Sequence, residues 1–324
     1  MGLSKNSLYT ILVSALFWLL YYFAIFGAIG SLFLIDLKKG TFYNNHLKDP
    51  INSLTIGTWV AATSVVILNM HYYFPQLIMP SIVFYCIGFI IWMVYLVIIV
   101  RNYSFYIRNP EYIAKLHGGI LLSCVATQSL VIAGVTIFNV KFPIELGLGM
   151  LCIGFMFYII GFGLIVLSFT KDTINHTIQN WKNTNCIIHG ALSITGLALC
   201  ISMESLGVWL IYIWLVVSII FCIVECIELI RSIIRVKLLG VNNGLFVYHP
   251  TQWARNFTFG MYVNFTIHLP DCSLFENARY LVVDIGKYIV VILFVIEIGI
   301  FMNNVLSMKK EIKNEEQNEN LRGI

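Results

Sequence analysis

The chain has 324 residues, of which 59% are hydrophobic and only 11% charged, with a mean hydropathy of +0.85. A water-soluble surface takes about a quarter of its residues as charges, so a soluble enzyme, a nucleic-acid binder and a disulfide-stapled secreted domain are excluded and a polytopic membrane protein remains. The net charge of +4 is small, and where the charges fall says more than their sum.

A bilayer core is crossed by about 20 mostly apolar helical residues. Nine stretches meet this in chain order: Leu8–Ile35, Leu54–Ile78, Met79–Val100, Gly118–Phe138, Glu145–Phe169, Cys186–Met203, Leu206–Leu229, Trp253–Leu269 and Tyr280–Leu306. The sixth and eighth are short, and the eighth is polar. All seven prolines (Pro50, Pro75, Pro80, Pro110, Pro143, Pro250 and Pro270) fall at or between span ends, where helix breakers belong. The runs are too long for strands and lack period-two alternation. Residues 1–308 are therefore expected to form one all-α transmembrane domain. Residues 309–324 form a short charged tail expected to fray or stay disordered.

Of the 20 Lys and Arg residues, only Lys5, Lys141, Arg279 and Lys287 fall on one side of these spans. The other 16, among them Arg255 at the start of the eighth span, mark the cytoplasmic side. The C-terminus is thus expected in the cytoplasm and, with nine spans, the N-terminus outside. No signal peptide of the usual form precedes the first span, so either the chain begins outside or a first helix is missing from it. Seven of the eight cysteines lie within spans and Cys272 sits alone in an outside loop, which reads as apolar packing and not a disulfide framework.

The spans are of two kinds. The second carries Thr58, Thr63, Ser64 and Asn69, the fourth Ser123, Thr127, Gln128 and Ser129, the sixth His189, Ser193 and Thr195, and the eighth Asn256, Thr258 and Asn264. The third and fifth are almost uniformly apolar, and the seventh and ninth are apolar until charges appear. Polar side chains in hydrocarbon are costly unless they face protein or water. A chain of helical hairpins, one helix of each facing an axis and the other facing lipid, satisfies this. For a single Ser or Thr, bonding to its own helix is the commoner fate; for the whole alternation, a lined pathway is the better account.

No catalytic or metal set competes, because the seven His residues show no metal-ligand spacing and neither a nucleophile elbow nor a phosphate-binding loop occurs. No enzyme activity, cofactor or metal is expected. Glu225 and Glu228 are explained by local pairing with Arg231 and Arg235. Glu297 lies deeper, with no partner in its own helix, as either a bonded acid at a helix contact or a coupling-proton site.

Four segments stand out in order: His46–Ser53 (HLKDPINS), Cys124–Leu130 (CVATQSL), Asn185–Gly196 (NCIIHGALSITG) and Tyr248–Tyr262 (YHPTQWARNFTFGMY). Together they resemble the tellurite-resistance/dicarboxylate transporter family, which includes plant slow anion channels and fungal malate and sulfite carriers. The resemblance covers about Leu8 to Leu306. It implies ten helices in five hairpins, odd-numbered inner helices ringing a pore and even-numbered outer ones shielding them, and a homotrimer. On this resemblance Leu8–Ile35 is expected to match the family's second helix and the polar spans its inner helices, which leaves the first inner helix expected to be absent. In the family an aromatic ring of the penultimate helix plugs the pore; the matching residue is Phe257, four after Trp253. Ser123 and Thr258 stand where the family often has proline.

These readings combine into an expected anion channel or carrier of the cell membrane, acting on C4-dicarboxylates such as malate, on sulfite or tellurite, or on small inorganic anions. Phe257 is the expected gate. Thr127, Gln128, Ser129, His189, Ser193, Thr195 and Asn264 are the expected pore-lining residues, and Arg255 is expected to concentrate anions at the cytoplasmic mouth. Its partners are then small anions, the lipid bilayer and copies of itself, with no nucleic acid. The rivals are a proton-coupled dicarboxylate or sulfite carrier working through Glu297 or His189, and a non-transporting sensor bundle.

Overall fold

The computed structural model describes residues 37–170, 177–178 and 180–322. The expected first span, Leu8–Ile35, lies outside the described residues, as do Lys5 and the loop residues 171–176. Among the described residues all regular structure is helical: α1 (Ile56–Tyr73), α2 (Ile78–Arg108), α3 (Leu122–Phe138), α4 (Ile144–Thr170), α5 (Ile187–Ser202), α6 (Val208–Leu245), α7 (Trp253–Ile267) and α8 (Glu276–Arg322). Seven of these, some with a short lead-in turn, are long and apolar enough to cross a membrane; the chain is a polytopic helical membrane protein. The helix α7, at 15 residues, is shorter than such a span.

Each of α1, α3, α5 and α7 is entered through a tight 3-10 turn: Asn52–Thr55, Gly118–Leu121, Asn183–Cys186 and Pro250–Gln252. The first N–H groups of a helix have no partner within it, and polar side chains of the quoted segments meet several of them here. Asp49 accepts from the amides of Ile51 and Asn52, and Asn185 from the amide of Gly118, each at 2.8 Å. His117 accepts from Gly119 at 3.1 Å, and His249 forms a capping box with Gln252. These turns account for Asp49, Asn185 and His249 in three of the quoted segments, and His117 plays the same part ahead of the remaining one, Cys124–Leu130.

The helices α1, α3, α5 and α7 pack one against the next in an arc, with α1 and α7 at its two ends. Each is joined to the helix that follows it, α2, α4, α6 or α8, by a short turn (residues 74–77, 139–143, 203–207 and 268–275), and packs against that helix. Short connections make such pairs antiparallel, so the four arc helices all start at the same end of the bundle. Of the segment leading into and including α3, 89% is buried, against 33% for α2 and 6% for α8. The alternation of polar and greasy spans is therefore an alternation of inner and outer helices. Where the backbones of α5 and α7 come closest, Gly190 and Gly196 meet the side chains of Thr258 and Phe265 directly, and a Cβ at either glycine would collide with them.

The outer helices run longer than hydropathy alone predicts. α2 continues to Arg108 instead of Val100, and α6 continues past Leu229 to Leu245, with its backbone bent at Gly240 (φ 75°). The helix α8 carries on to Arg322, where the tail was expected to fray. Hydropathy ends at the first charges, but Lys, Arg, Glu and Leu are good helix formers and extend the helix beyond the apolar stretch.

Candidate functional site

The polar residues predicted on α3 and α5 are buried, and their hydrogen-bonding groups are largely committed. Thr127 accepts from the indole of Trp92 on α2 at 2.9 Å and donates to the Ser123 carbonyl. Ser129, Ser193 and Thr195 each donate to a carbonyl three or four residues back in their own helix. Thr195 also lies 3.4 Å from the Cys124 sulfur, linking α5 to α3. Gln128 turns toward α4, where Gly154 leaves room for its amide and the Leu151 carbonyl accepts from it at 3.2 Å; its own carbonyl oxygen has no partner. Thr127, Gln128 and Thr195 thus tie inner helices to their neighbours, while the bonds of Ser129 and Ser193 stay within their own helices.

The helix α7 has two contrasting faces. Arg255, Phe259, Tyr262 and Thr266, three or four apart, all meet α6: Arg255 at Glu228, Phe259 and Tyr262 at Phe221, Tyr262 also at Ser218 and Thr266 at Trp214. At about 100° per residue, Phe257 and Asn264 share a second face, turned well away from that stripe. Both are only half-buried. At the other end of the arc, α1 presents a similar polar stripe, with Thr55, Thr58 and Ala62 exposed and Asn69 half-buried. Thr58 and Asn69 are thus more accessible than the residues singled out on α3 and α5. Polarity by itself could not rank them; only the burial pattern does.

At the end where the arc helices begin, α5, α6 and α7 bring together a charged cluster. Arg255 Nη2 lies 3.1 Å from Glu228 Oε1, and Arg231 Nη1 lies 2.9 Å from the same carboxylate and 2.9 Å from Asn183 Oδ1. Glu225 lies between Arg255 Nε and His189 Nε2, 3.7 Å from each. Only the Glu228–Arg231 pair is the local one expected from sequence. Glu225 looks across to two other helices because Phe221, one turn earlier on α6, packs edge-on against His189 at 4.8 Å and Phe259 at 4.9 Å. Those ring contacts set the helix separation, and one further turn carries Glu225 to the same neighbours. With His189 neutral, two guanidinium groups offset two carboxylates. Arg255, expected to concentrate anions at the cytoplasmic mouth, is paired with Glu228 and faces Glu225. His189 is fully buried and neither ring nitrogen has a hydrogen-bond partner. Glu297, on α8, is 7% exposed and has one carboxylate oxygen unpartnered.

Just outside the apolar spans, His117 closes the junction between the entries to α3 and α5. Its Nδ1 accepts from the Gly119 amide and lies 2.8 Å from the Thr184 hydroxyl. Burial, with the nearby Lys182 ammonium, lowers its pKa to about 4. No group of three or more His, Cys, Asp or Glu residues among the described ones could hold a metal ion.

A family model described as SLAC1, voltage-dependent anion channel, matches residues 2–307. Among curated proteins and solved structures, none matches the chain.

Proposed function

The chain belongs to the SLAC1, voltage-dependent anion channel family, and we propose that it conducts small anions along the half-buried faces of α7 and α1, with Phe257 as the occluding ring. The observation that carries this is the placement of Phe257 and Asn264 on one face of α7, away from the stripe that meets α6. A bulky apolar ring in a narrow path stops hydrated ions by sterics and dewetting. Two turns on, Asn264 offers a neutral amide donor, and Thr58 and Asn69 offer further weak polar groups on α1. Weak sites release ions readily, which suits passage over tight binding. The buried polar groups of α3 and α5 have a supporting role in this reading, holding the inner helices in register.

In this reading the starts of the arc helices, and with them Arg255 and the C-terminus, lie on the cytoplasmic side of the cell membrane, which the uneven distribution of basic residues supports. C4-dicarboxylates such as malate, together with sulfite, tellurite and inorganic anions, are the proposed cargo, and a trimer the proposed assembly. The test is anion current or proteoliposome flux for the wild type and Phe257→Ala. A rise on removing the ring supports the gate, whereas a silent wild type points to a non-transporting bundle.

A second reading, a proton-coupled carrier, draws support from the unpartnered Glu297 carboxylate oxygen and from the buried His189, whose ring nitrogens make no hydrogen bond and whose Nε2 lies 3.7 Å from Glu225. It requires uptake that depends on a proton gradient and is lost in Glu297→Gln. Currents indifferent to pH favour the channel.

A further inference from the structure

The two carboxylates beside Arg255 are held very differently. Glu228 is fixed by direct bonds from Arg255 at 3.1 Å and from Arg231 at 2.9 and 3.2 Å. Glu225 comes no closer than 3.7 Å to either Arg255 or His189. Its Oε1, on the His189 side, is buried without a hydrogen-bond partner, and the Nε of Arg255, which faces Oε2, is likewise buried and unpartnered. A guanidinium carries five N–H donors, and direct charge-assisted bonds form at about 2.7–2.9 Å. Arg255 therefore has donors to spare, facing an anion seated too far away to use them. The Glu225 side chain is 18% exposed and that of Arg255 28%, but Nε and Oε1 are themselves covered, so a small solute reaches the Nε side of the guanidinium only as Glu225 swings out. On the other sides of the pair stand Phe221 and Glu228 from α6, Phe259 from α7 and His189 from α5.

We propose that Arg255 is an anion-binding site beside the entrance of the pathway, on the α6 side of α7, and that Glu225 occupies it as a tethered competitor. An incoming small anion, such as chloride, nitrate or a carboxylate, takes the Nε side of the guanidinium while Glu225 withdraws toward water. Glu228 and Arg231 stay bonded and hold Arg255 in place. In the resting arrangement the entrance is electrically neutral. Anion occupancy then depends on competition with a built-in carboxylate, so the affinity is set low and release is quick. The inference rests on the anion-transport reading above, and its test separates the two.

The experiment measures nitrate in two ways, by the nitrate-dependent rise in melting temperature of the purified protein and by nitrate flux into proteoliposomes. In Glu225→Gln the competitor's charge is gone and the entrance carries a net positive charge. A field of that kind raises local counter-ion concentration by about tenfold or more, so the half-saturating nitrate concentration falls by about tenfold in both measurements. Adding Arg255→Gln abolishes the gain. Glu225→Asp, which shortens the reach to Arg255 while keeping the charge, moves half-saturation the same way by less and serves if Glu225→Gln does not fold. Half-saturation unchanged in the Glu225 variants, with flux intact, overturns the site and leaves anion transport standing. A nitrate-dependent stabilisation that grows in Glu225→Gln, without flux in any variant, supports the site and overturns the transport reading.

Discussion

The indole of Trp214 donates to the hydroxyl of Thr266 at 2.9 Å, and Trp92 makes the same bond to Thr127, also at 2.9 Å. In both pairs the Trp belongs to an outer helix and the Thr to the inner helix of the next hairpin. In both, the Thr also donates to the carbonyl four residues back, Tyr262 or Ser123. The bond thus recurs as a latch between successive hairpins. The two partners are not equivalent. Trp92→Phe leaves Thr127 bonded to its own helix and loses about 1 kcal/mol. Thr127→Val strands a buried indole N–H and costs about 1–3 kcal/mol. Thermal unfolding in detergent should rank them in that order, with anion selectivity unchanged in both.

Phe257 and Phe259 are two residues apart and should behave as opposites. Phe257→Ala widens the proposed path and should raise anion current several-fold, with little loss of stability. Phe259→Ala removes a ring packed on His189 and Phe221 and should cost about 3 kcal/mol without opening the path. Current recordings paired with melting temperatures distinguish the two. Equal currents from a well-expressed Phe257→Ala and the wild type count against the gate.

Glu228 and Arg231 should show strong coupling. Removing one partner of a largely buried ion pair leaves an uncompensated charge and costs about 3 kcal/mol. Replacing both, as Glu228→Gln with Arg231→Met, should recover most of that loss. A double-mutant cycle on unfolding free energies measures the coupling directly; additive effects would show that the pair is solvated and contributes little.

His117 gives the protein an acid-sensitive joint. Its Nδ1 is an acceptor for the Gly119 amide, so a proton there removes the acceptor. The folded-state pKa of about 4 lies below the ordinary 6.5, so the unfolded chain binds the extra proton first as pH falls. The contribution is whole above about pH 6.5 and declines toward pH 4, by on the order of 3 kcal/mol across that window. His117→Asn keeps a side-chain acceptor that does not titrate and should flatten this part of the stability curve. Melting temperatures of both proteins between pH 7 and 4 provide the comparison.

Much of the architecture is legible in local sequence, because bilayer thickness imposes a length and hydrocarbon imposes a polarity rule. Turn residues such as Asp49, His117 and His249 mark the entries to inner helices because they accept from backbone amides left unpaired there. What the sequence leaves unread is lateral. The i+3 rule finds Arg231 for Glu228 but sees only one helix, so it misses Arg255 and His189 as the neighbours of Glu225. Gln128 is polar on any count, yet its direction depends on the missing side chain at Gly154, 26 residues away on another helix. Thr58, Asn69 and Thr127 all bond to a carbonyl three or four residues back; what sets Thr127 apart is its burial and the Trp92 indole, both properties of the assembled arc.

The shared direction of the four inner helices has an electrostatic consequence of its own. Each helix carries a macrodipole worth about half an elementary positive charge at its N-terminus, felt mainly within the first turn. Four such ends, each opened by a tight turn of backbone amides, converge at one mouth of the bundle. The inner lining of that mouth therefore carries positive peptide ends, with the negative ends of the outer helices on its lipid-facing rim, even where Arg255 and Arg231 are neutralised by their carboxylates. A preference for anions can thus be written into the backbone itself, where no side-chain substitution can remove it.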